Sequence, residues 1–348
     1  MRGLGFREHG GLDKVGFVDV DVPRIGPGQV RIRVRAAAFN RLDQFVLTGI
    51  PGVPIERPHV LGSDAAGEVD RVEGAETDLK SGDRVLVNPG LPDGTCEWCR
   101  AGQESMCRAY QILGEHTQGS ATEFVVVPSR NVHRIPSDWT FEQAASVPLV
   151  FQTAWRALKT IGATHPGDTV AIVGAGGGVA SAAVQVAKLL GARIAVTTRD
   201  PAKAERAKAL GADEVLITSD DRPLDKLLWQ WSGKRGVDVI FDSAGEDTVP
   251  RSLKAVARGG RIVIIGATTG PIVEIDLRTL FWRQASIRGS TMANLTEFDE
   301  VWAELRAGRL KPVIDSAYDF AEGPRAFARM NAPELFGKVV LRGPPESR

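Results

Sequence analysis

The sequence predicts an α/β protein of two domains: a β-rich domain drawn mainly from the N-terminal part of the chain, then a doubly wound parallel sheet. Three observations carry this. From residue 169 onward, strand-length apolar runs alternate with amphipathic helices, the pattern of a parallel sheet covered on both faces. Before about residue 145 the runs are shorter, alternate with period two and are punctuated by glycine and proline. A length of 348 residues also exceeds the usual size of one domain.

In the first part, 30–36 alternates Val and Ile with Arg, a strand with one wet face. Residues 60–72 and 83–87 read as further strands, set apart by turn signals such as Pro27-Gly28 and Ser81-Gly82-Asp83. Helical spacing covers 141–158. Parallel strands are expected at 169–173, 193–197, 214–217, 237–241 and 261–265. Helices are expected at 179–190 and 202–210, the second closing on Gly211, a residue suited to a left-handed cap. A run at 286–289 extends the sheet. Helix follows at 297–307, then irregular chain, then a last strand at 338–341.

The 43 basic and 43 acidic residues cancel, so nothing points to a nucleic-acid or anionic-membrane partner. The opening MRGLGFREHGG has no apolar core of a signal sequence, and the apolar runs are far short of a membrane span. Three clustered cysteines do not make a disulfide scaffold. A soluble cytoplasmic protein is expected.

Those cysteines carry the sharpest motif. Asp93, Cys96, Cys99 and Cys107 give Asp-x2-Cys-x2-Cys-x7-Cys, four donors at spacings that can wrap a tetrahedral Zn²⁺ and leave no position open. A closed site holds metal for structure. One structural Zn²⁺ per chain is expected, three free thiols being the alternative, and the chemistry must lie elsewhere.

Residues 169–191, TVAIV-GAGGGVA-SAAVQVAKLLG, read as strand, glycine turn and helix. Gly174, Ala175, Gly177, Gly178 and Val179 would let a pyrophosphate approach the backbone at a helix N-terminus. The literal GxGxxG fits no register; the best is Ala175-x-Gly177-x-x-Ala180. About twenty residues on, where an acid would bind the ribose of NAD, the chain has Thr198, Arg199 and Lys203. A hydroxyl and two cations suit a 2′-phosphate, so NADP(H) is expected over NAD(H), although Asp200 could turn inward to a free ribose.

The order of these features resembles the medium-chain dehydrogenase/reductase superfamily across nearly the whole chain. The matching segments are GSDAAGEV at 62–69, GDRV at 82–85, the cysteine loop, GSATEF at 119–124, the glycine turn and GKVV at 337–340. The resemblance implies a GroES-like β-barrel catalytic domain (1–148 and 289–348), a Rossmann cofactor domain (149–288) and an active site in the cleft between them. Zinc alcohol dehydrogenases of this superfamily hold a catalytic metal with Cys, His and Cys. Here those positions are Asn40, Ser63 and Leu149, none a strong zinc ligand. The proton-relay positions are Leu42 and Phe45. The chain is more similar to the zinc-free quinone oxidoreductase branch, whose first loop carries Asn-x-x-Asp, as Asn40 and Asp43 do here, and whose second motif is Gly-x-Asp. That branch usually lacks the cysteine loop, so the combination is a hybrid, with Asp93 standing at the first cysteine of the superfamily's structural site.

The expected function is an NADP(H)-dependent oxidoreductase that transfers hydride to a quinone, enone or related small-molecule carbonyl without a catalytic zinc. A delocalised enolate or hydroquinone anion can be stabilised by hydrogen-bond donors alone, whereas a simple alkoxide needs more. Asn40 and Ser63 are the expected donors, with Asp43 and Asp64 orienting them. The proton donor stays open between His116 and Tyr110; His9, His59, His133 and His165 are read as structural. The resemblance implies Arg41 and Lys338 at the cofactor pyrophosphate. It also implies Thr153, Gly266, Ala267 and Thr268 on the nicotinamide side, Met292 and Asn294 near its end, and a homodimer or tetramer joined through 286–289. Two other readings are carried. One is an alcohol or aldehyde dehydrogenase with unconventional metal ligands from Asp43, Asp64, Glu115 or His116. The other is a non-catalytic NADPH-binding regulatory protein.

Overall fold

A computed structural model describes residues 1–74 and 77–345. The chain forms two compact units: Met1–Leu149 with Asn294–Phe298 and Pro312–Arg348, and Val150–Ala293 with Asp299–Lys311. These limits differ from the sequence division, which returned the chain to the first unit at 289. The second unit runs a few residues further and takes back 299–311, because Glu300 on the helix Leu295–Arg306 accepts from Trp155 and pairs with Lys159. Among the described residues no helix is long and apolar enough to cross a membrane.

Strand Gln29–Ala38 is the hub of the first unit. Val30, Ile32 and Val34 point into the core, while Arg31 and Arg33 meet Asp70 and Arg35 meets Glu68 on the wet face. The hub pairs antiparallel with Asp64–Glu73 on one side and with Phe124–Pro128 and Lys338–Arg342 on the other. Its register positions the site: Ala38 lies opposite both Asp64 and Val340. The chain leaving this strand at Asn40 is therefore flanked by Asp64 and by the start of the last strand. Phe6, Phe39, Leu47 and Phe327 fill the core behind it, each contributing about 1.5–3 kcal/mol by burial.

The strand expected at 60–72 is two strands, His59–Val60 and Asp64–Glu73. Gly62 breaks it with φ +97°, and a Cβ there would lie 2.7 Å from Ser120 Oγ. Only glycine makes this turn. The stretch before the last strand, expected to be irregular, contains Ile314–Tyr318 in parallel register with Lys338–Arg342. All its residues are half-buried, so it shows no apolar alternation. The expected helix 141–158 is also broken: Phe141–Ala145 ends at Ser146, Pro148 restarts helix to Trp155, and the last turn, Arg156–Ile161, is a π-helix.

The second unit holds six parallel strands in the order Glu214–Ile217, Arg193–Thr198, Thr169–Val173, Val237–Asp242, Val256–Ile264, Ser286–Gly289. The first strand of the unit lies inside the sheet and the winding reverses beside it, which is the Rossmann arrangement and its topological switch point. Because every strand points the same way, the loops after them all leave from one carboxyl edge. The glycine turn, 198–203, 266–268 and 290–293 share that edge.

Candidate active site

At the end of the hub strand, Asn40, Asp64 and Lys338 form one buried network. Asn40 Nδ2 donates to Asp64 Oδ2 at 2.9 Å, and Asn40 Oδ1 accepts from Lys338 Nζ at 2.5 Å. Lys338 Nζ also donates to Asp64 Oδ2 at 2.7 Å, and the Leu149 N–H donates to Asp64 Oδ1 at 2.8 Å. Lys338 is 3% exposed and Asp64 is fully buried. Lys338, expected at the cofactor pyrophosphate, instead has its ammonium inside the first unit. A buried cation needs a paired anion, and Asp64 is that anion. These residues do not fit a catalytic zinc. The positions offer an amide, a hydroxyl and an alkyl chain, and an ammonium already holds the amide oxygen.

Asp43 ties this network to the Gly62 turn. Its two oxygens accept the Asn40 N–H at 2.7 Å and the Gly62 N–H at 2.5 Å. Complete burial pushes its carboxyl up to about 6, against the pull of those two donors and of Lys338. Beside it Ser63 is fully buried and its Oγ has no hydrogen-bond partner among the described residues.

Gly114, with φ +81°, packs on the same turn, where an added Cβ would lie 2.3 Å from the Gly62 carbonyl. His59 Nε2 donates to the Gly114 carbonyl at 3.0 Å, and burial makes this ring less basic than usual. The next two residues are Glu115 and His116. Glu115 is buried, which raises its carboxyl above the ordinary range against the opposing effect of His116, whose Nε2 is 3.9 Å from Glu115 Oε1. His116 Nδ1 accepts the Ile112 N–H at 3.2 Å. A backbone amide only donates, so the ring is the neutral Nε2–H form. Tyr110, the other candidate donor, places its hydroxyl over Gly90, 2.1 Å from where a Cβ would stand.

The four donor atoms of Asp93, Cys96, Cys99 and Cys107 lie within 4.8 Å of one another. Cys96 and Cys99 sulfurs are 3.6 Å apart, close to the roughly 3.8 Å that tetrahedral Zn–S bonds impose. Asp93 Oδ1 accepts the Thr95 and Cys96 N–H groups at 2.7 and 3.0 Å, which holds the carboxylate well below its usual range and leaves the other oxygen available. The Cys99 backbone amide lowers the Cys96 thiol, while burial pushes the Cys99 thiol up to about 12. The donor set fits zinc, and no other group of three or more such side chains gathers among the described residues. Asn294, expected near the nicotinamide, belongs to this unit and anchors the loop. Its Oδ1 accepts the Ser105 N–H at 3.0 Å, and its own N–H donates to Glu297 Oε2 at 2.7 Å. Arg41, in the same unit, donates to Gln44 at 2.6 Å and Asn331 at 2.9 Å, and desolvation lowers its basicity.

In the second unit the glycine turn is open. Gly174 and Gly176 have φ +88° and +110°, and nothing lies within 4 Å of a Cβ built at Gly174 or Gly177. The helix Gly178–Leu189, with Val179 in its first turn, presents its free N–H groups there. A dinucleotide fits this edge. After Thr198, Asp200 Oδ1 accepts the Ala202 N–H at 2.9 Å, so the acid caps its own turn. Neither Arg199 nor Lys203 is paired with an acid among the described residues. Thr268 donates to the Ser243 carbonyl, while Gly266 and Ala267 border a cavity of about 560 Å³ walled by Ile275, Leu280 and Ile287. Thr153 is buried, and Met292, also buried, sits in the left-handed region at φ +48°, a strained position for a long side chain.

Residues 26–137 match the family described as alcohol dehydrogenase GroES-like domain, and residues 178–307 the family described as zinc-binding dehydrogenase. Acryloyl-coenzyme A reductase of Metallosphaera sedula is 31% identical over 93% of this chain and 95% of its own length. Quinone oxidoreductase of Lama guanicoe is 29% identical over 98% of this chain and 97% of its own. A solved structure described as an NAD-dependent alcohol dehydrogenase superposes with a TM-score of 0.92 at 40% identity, covering 98% of this chain and 99% of that one. The chain spans only 5% of polyketide synthase GfsB of Streptomyces halstedii, to which it is 36% identical. Fold and dinucleotide edge together define an NAD(P)-dependent oxidoreductase. The chain belongs to the medium-chain dehydrogenase/reductase superfamily, whose members bind a nicotinamide cofactor and often zinc.

Proposed function

We propose that this chain reduces conjugated carbonyls, enones or quinones, with NADPH and without a catalytic zinc. The observation that carries this is the Lys338–Asn40–Asp64 network at the positions where zinc enzymes of the superfamily hold their metal. The acryloyl-coenzyme A reductase and quinone oxidoreductase relatives support conjugated acceptors. When bound at the glycine edge, the reduced nicotinamide supplies hydride. The chain's own task is to stabilise the negative charge left on the acceptor oxygen. Ser63 Oγ has no partner, one Asn40 amide hydrogen and one Lys338 ammonium hydrogen remain beyond the bonds described, and the lysine brings positive charge. The cysteine loop carries one structural zinc in this reading. Protein prepared in chelator-treated buffer is expected to hold one zinc per chain and to reduce an enone and a quinone. Two zincs per chain, with alcohol oxidation lost when the second is stripped, would overturn it. NADPH binding without turnover of any enone, quinone or alcohol would favour the regulatory reading.

NADPH is favoured by the unpaired Arg199 and Lys203 and by Asp200 being held in its own turn. Arg199→Ala is expected to raise KM for NADPH about tenfold or more, the loss of one charge-assisted hydrogen bond. KM for NADH should barely move. Wild-type protein with equal KM for both cofactors would count against the assignment. A homodimer or tetramer through the edge strand Ser286–Gly289 is supported by its open edge and the exposed Ile272, Leu277, Phe281 and Trp282 on the segments before it.

A further inference from the structure

We propose that Glu115 is the acid that protonates the reduced substrate; this rests on the conjugate-reduction reading above. The buried carboxylates of the first unit among the described residues are Asp43, Asp64, Glu104, Glu115 and Glu297. Four of them are satisfied. Asp43 accepts two backbone N–H groups, Asp64 accepts Lys338, Asn40 and Leu149, Glu104 accepts the Leu295 N–H and Glu297 the Asn294 N–H. Glu115 accepts no hydrogen bond among the described residues, and its approach to His116 Nε2, 3.9 Å, is beyond hydrogen-bond length. Burying a carboxylate without a donor or cation is unfavourable, so the group holds its proton to higher pH than an ordinary carboxyl. A carboxyl with its titration raised in this way is suited to deliver a proton.

The placement is consistent with the chemistry. Glu115 follows Gly114, whose backbone packs on the Gly62–Ser63 turn that carries the unpartnered Ser63 hydroxyl. His116 is not the donor. Its Nδ1 accepts the Ile112 N–H, which leaves a neutral ring whose Nε2–H is too weak an acid. The His116 side chain is 28% exposed, against 10% for Glu115. The titratable groups on the segments packed against this loop are His59, which donates to Gly114, and Asp43, which holds the Gly62 N–H. Burial makes His59 less basic than usual.

In the step proposed, the substrate gains hydride at Cβ with oxidation of the nicotinamide, and the C=C electron pair moves onto the carbonyl to give an enolate. The enolate Cα then forms a C–H bond with the Glu115 proton as the carboxyl O–H bond breaks. The carboxylate regains a proton from water, so each turnover takes one proton from solvent.

Glu115→Gln is expected to lower kcat for an enone 10²–10³-fold, with NADPH affinity by fluorescence titration unchanged. The fall in rate as pH rises through the Glu115 titration should vanish, because glutamine does not titrate. In ligand-free protein, infrared difference titration should show a protonated-carboxyl band that bleaches with rising pH and is absent in the variant. The melting temperature of the variant should not drop, because no hydrogen bond is removed. Glu115→Asp should recover part of the rate. With an α-methyl enone in D₂O the wild type should give one configuration at Cα and Glu115→Gln both. A Glu115→Gln enzyme with wild-type kcat, pH limb and single Cα configuration would overturn the assignment while leaving conjugate reduction intact. A wild type that reduces no conjugated carbonyl would instead remove the reading beneath it.

Discussion

Lys338→Met is expected to destabilise the protein by about 3–5 kcal/mol, the cost of leaving one member of a buried ion pair without its partner. The stranded group is Asp64, fully buried and then left with only the Asn40 amide and the Leu149 N–H. Denaturant midpoints at unchanged m-value would measure the loss. The double variant Lys338→Met, Asp64→Leu should recover part of it, since removing both charges also removes the desolvation cost. Enone reduction should fall sharply with NADPH affinity little changed, because the ammonium is held inside the first unit. A stable Lys338→Met protein with weakened NADPH binding would return this lysine to the cofactor.

Cys107→Ser is the second large effect expected. Structural zinc contributes about 10–16 kcal/mol to folding in small zinc peptides, and a loop pinned at both ends should lose a fraction of that. Zinc content should fall from one per chain to none. Trypsin should then cut after Arg100 and Arg108, both exposed. The loosening should extend to the start of helix Leu295–Arg306, because the Ser105 N–H reaches Asn294 and the Leu295 N–H reaches Glu104. Hydrogen exchange would report it as lost protection in both segments. Residual enone reduction by the metal-free variant would separate this structural role from catalysis. A variant that keeps one zinc, or loses it with no change in proteolysis, would contradict the assignment.

Much of the fold is legible because its signals are local. The alternation of Val30, Ile32 and Val34 with arginines is set by the period of a strand, and the structure keeps it. The six parallel strands were marked by apolar runs whose spacing leaves room for covering helices. Less legible were features whose cause lies elsewhere in the chain. The break at Gly62 depends on Ser120, and the strand Ile314–Tyr318 depends on its partner Lys338–Arg342 for its existence. In the site, Asn40 and Asp64 were singled out from their motifs, Asn40 to face substrate and Asp64 to orient it. In the structure they also hold Lys338, 298 residues from Asn40.

The amino-acid sequence alone determined the α/β class, the open glycine turn, the four-donor cysteine loop and the absence of strong zinc ligands at positions 40, 63 and 149. Each is a matter of residue type and spacing along the chain. Only the tertiary structure decided that Lys338 neutralises Asp64, that Asn294 anchors the cysteine loop, and that Glu115 is buried with no donor among the described residues while the Tyr110 hydroxyl lies over Gly90. The physical reason is the same in each case. Desolvation and pairing of a polar group are set by what folds against it, and those neighbours come from strands and loops far away in sequence.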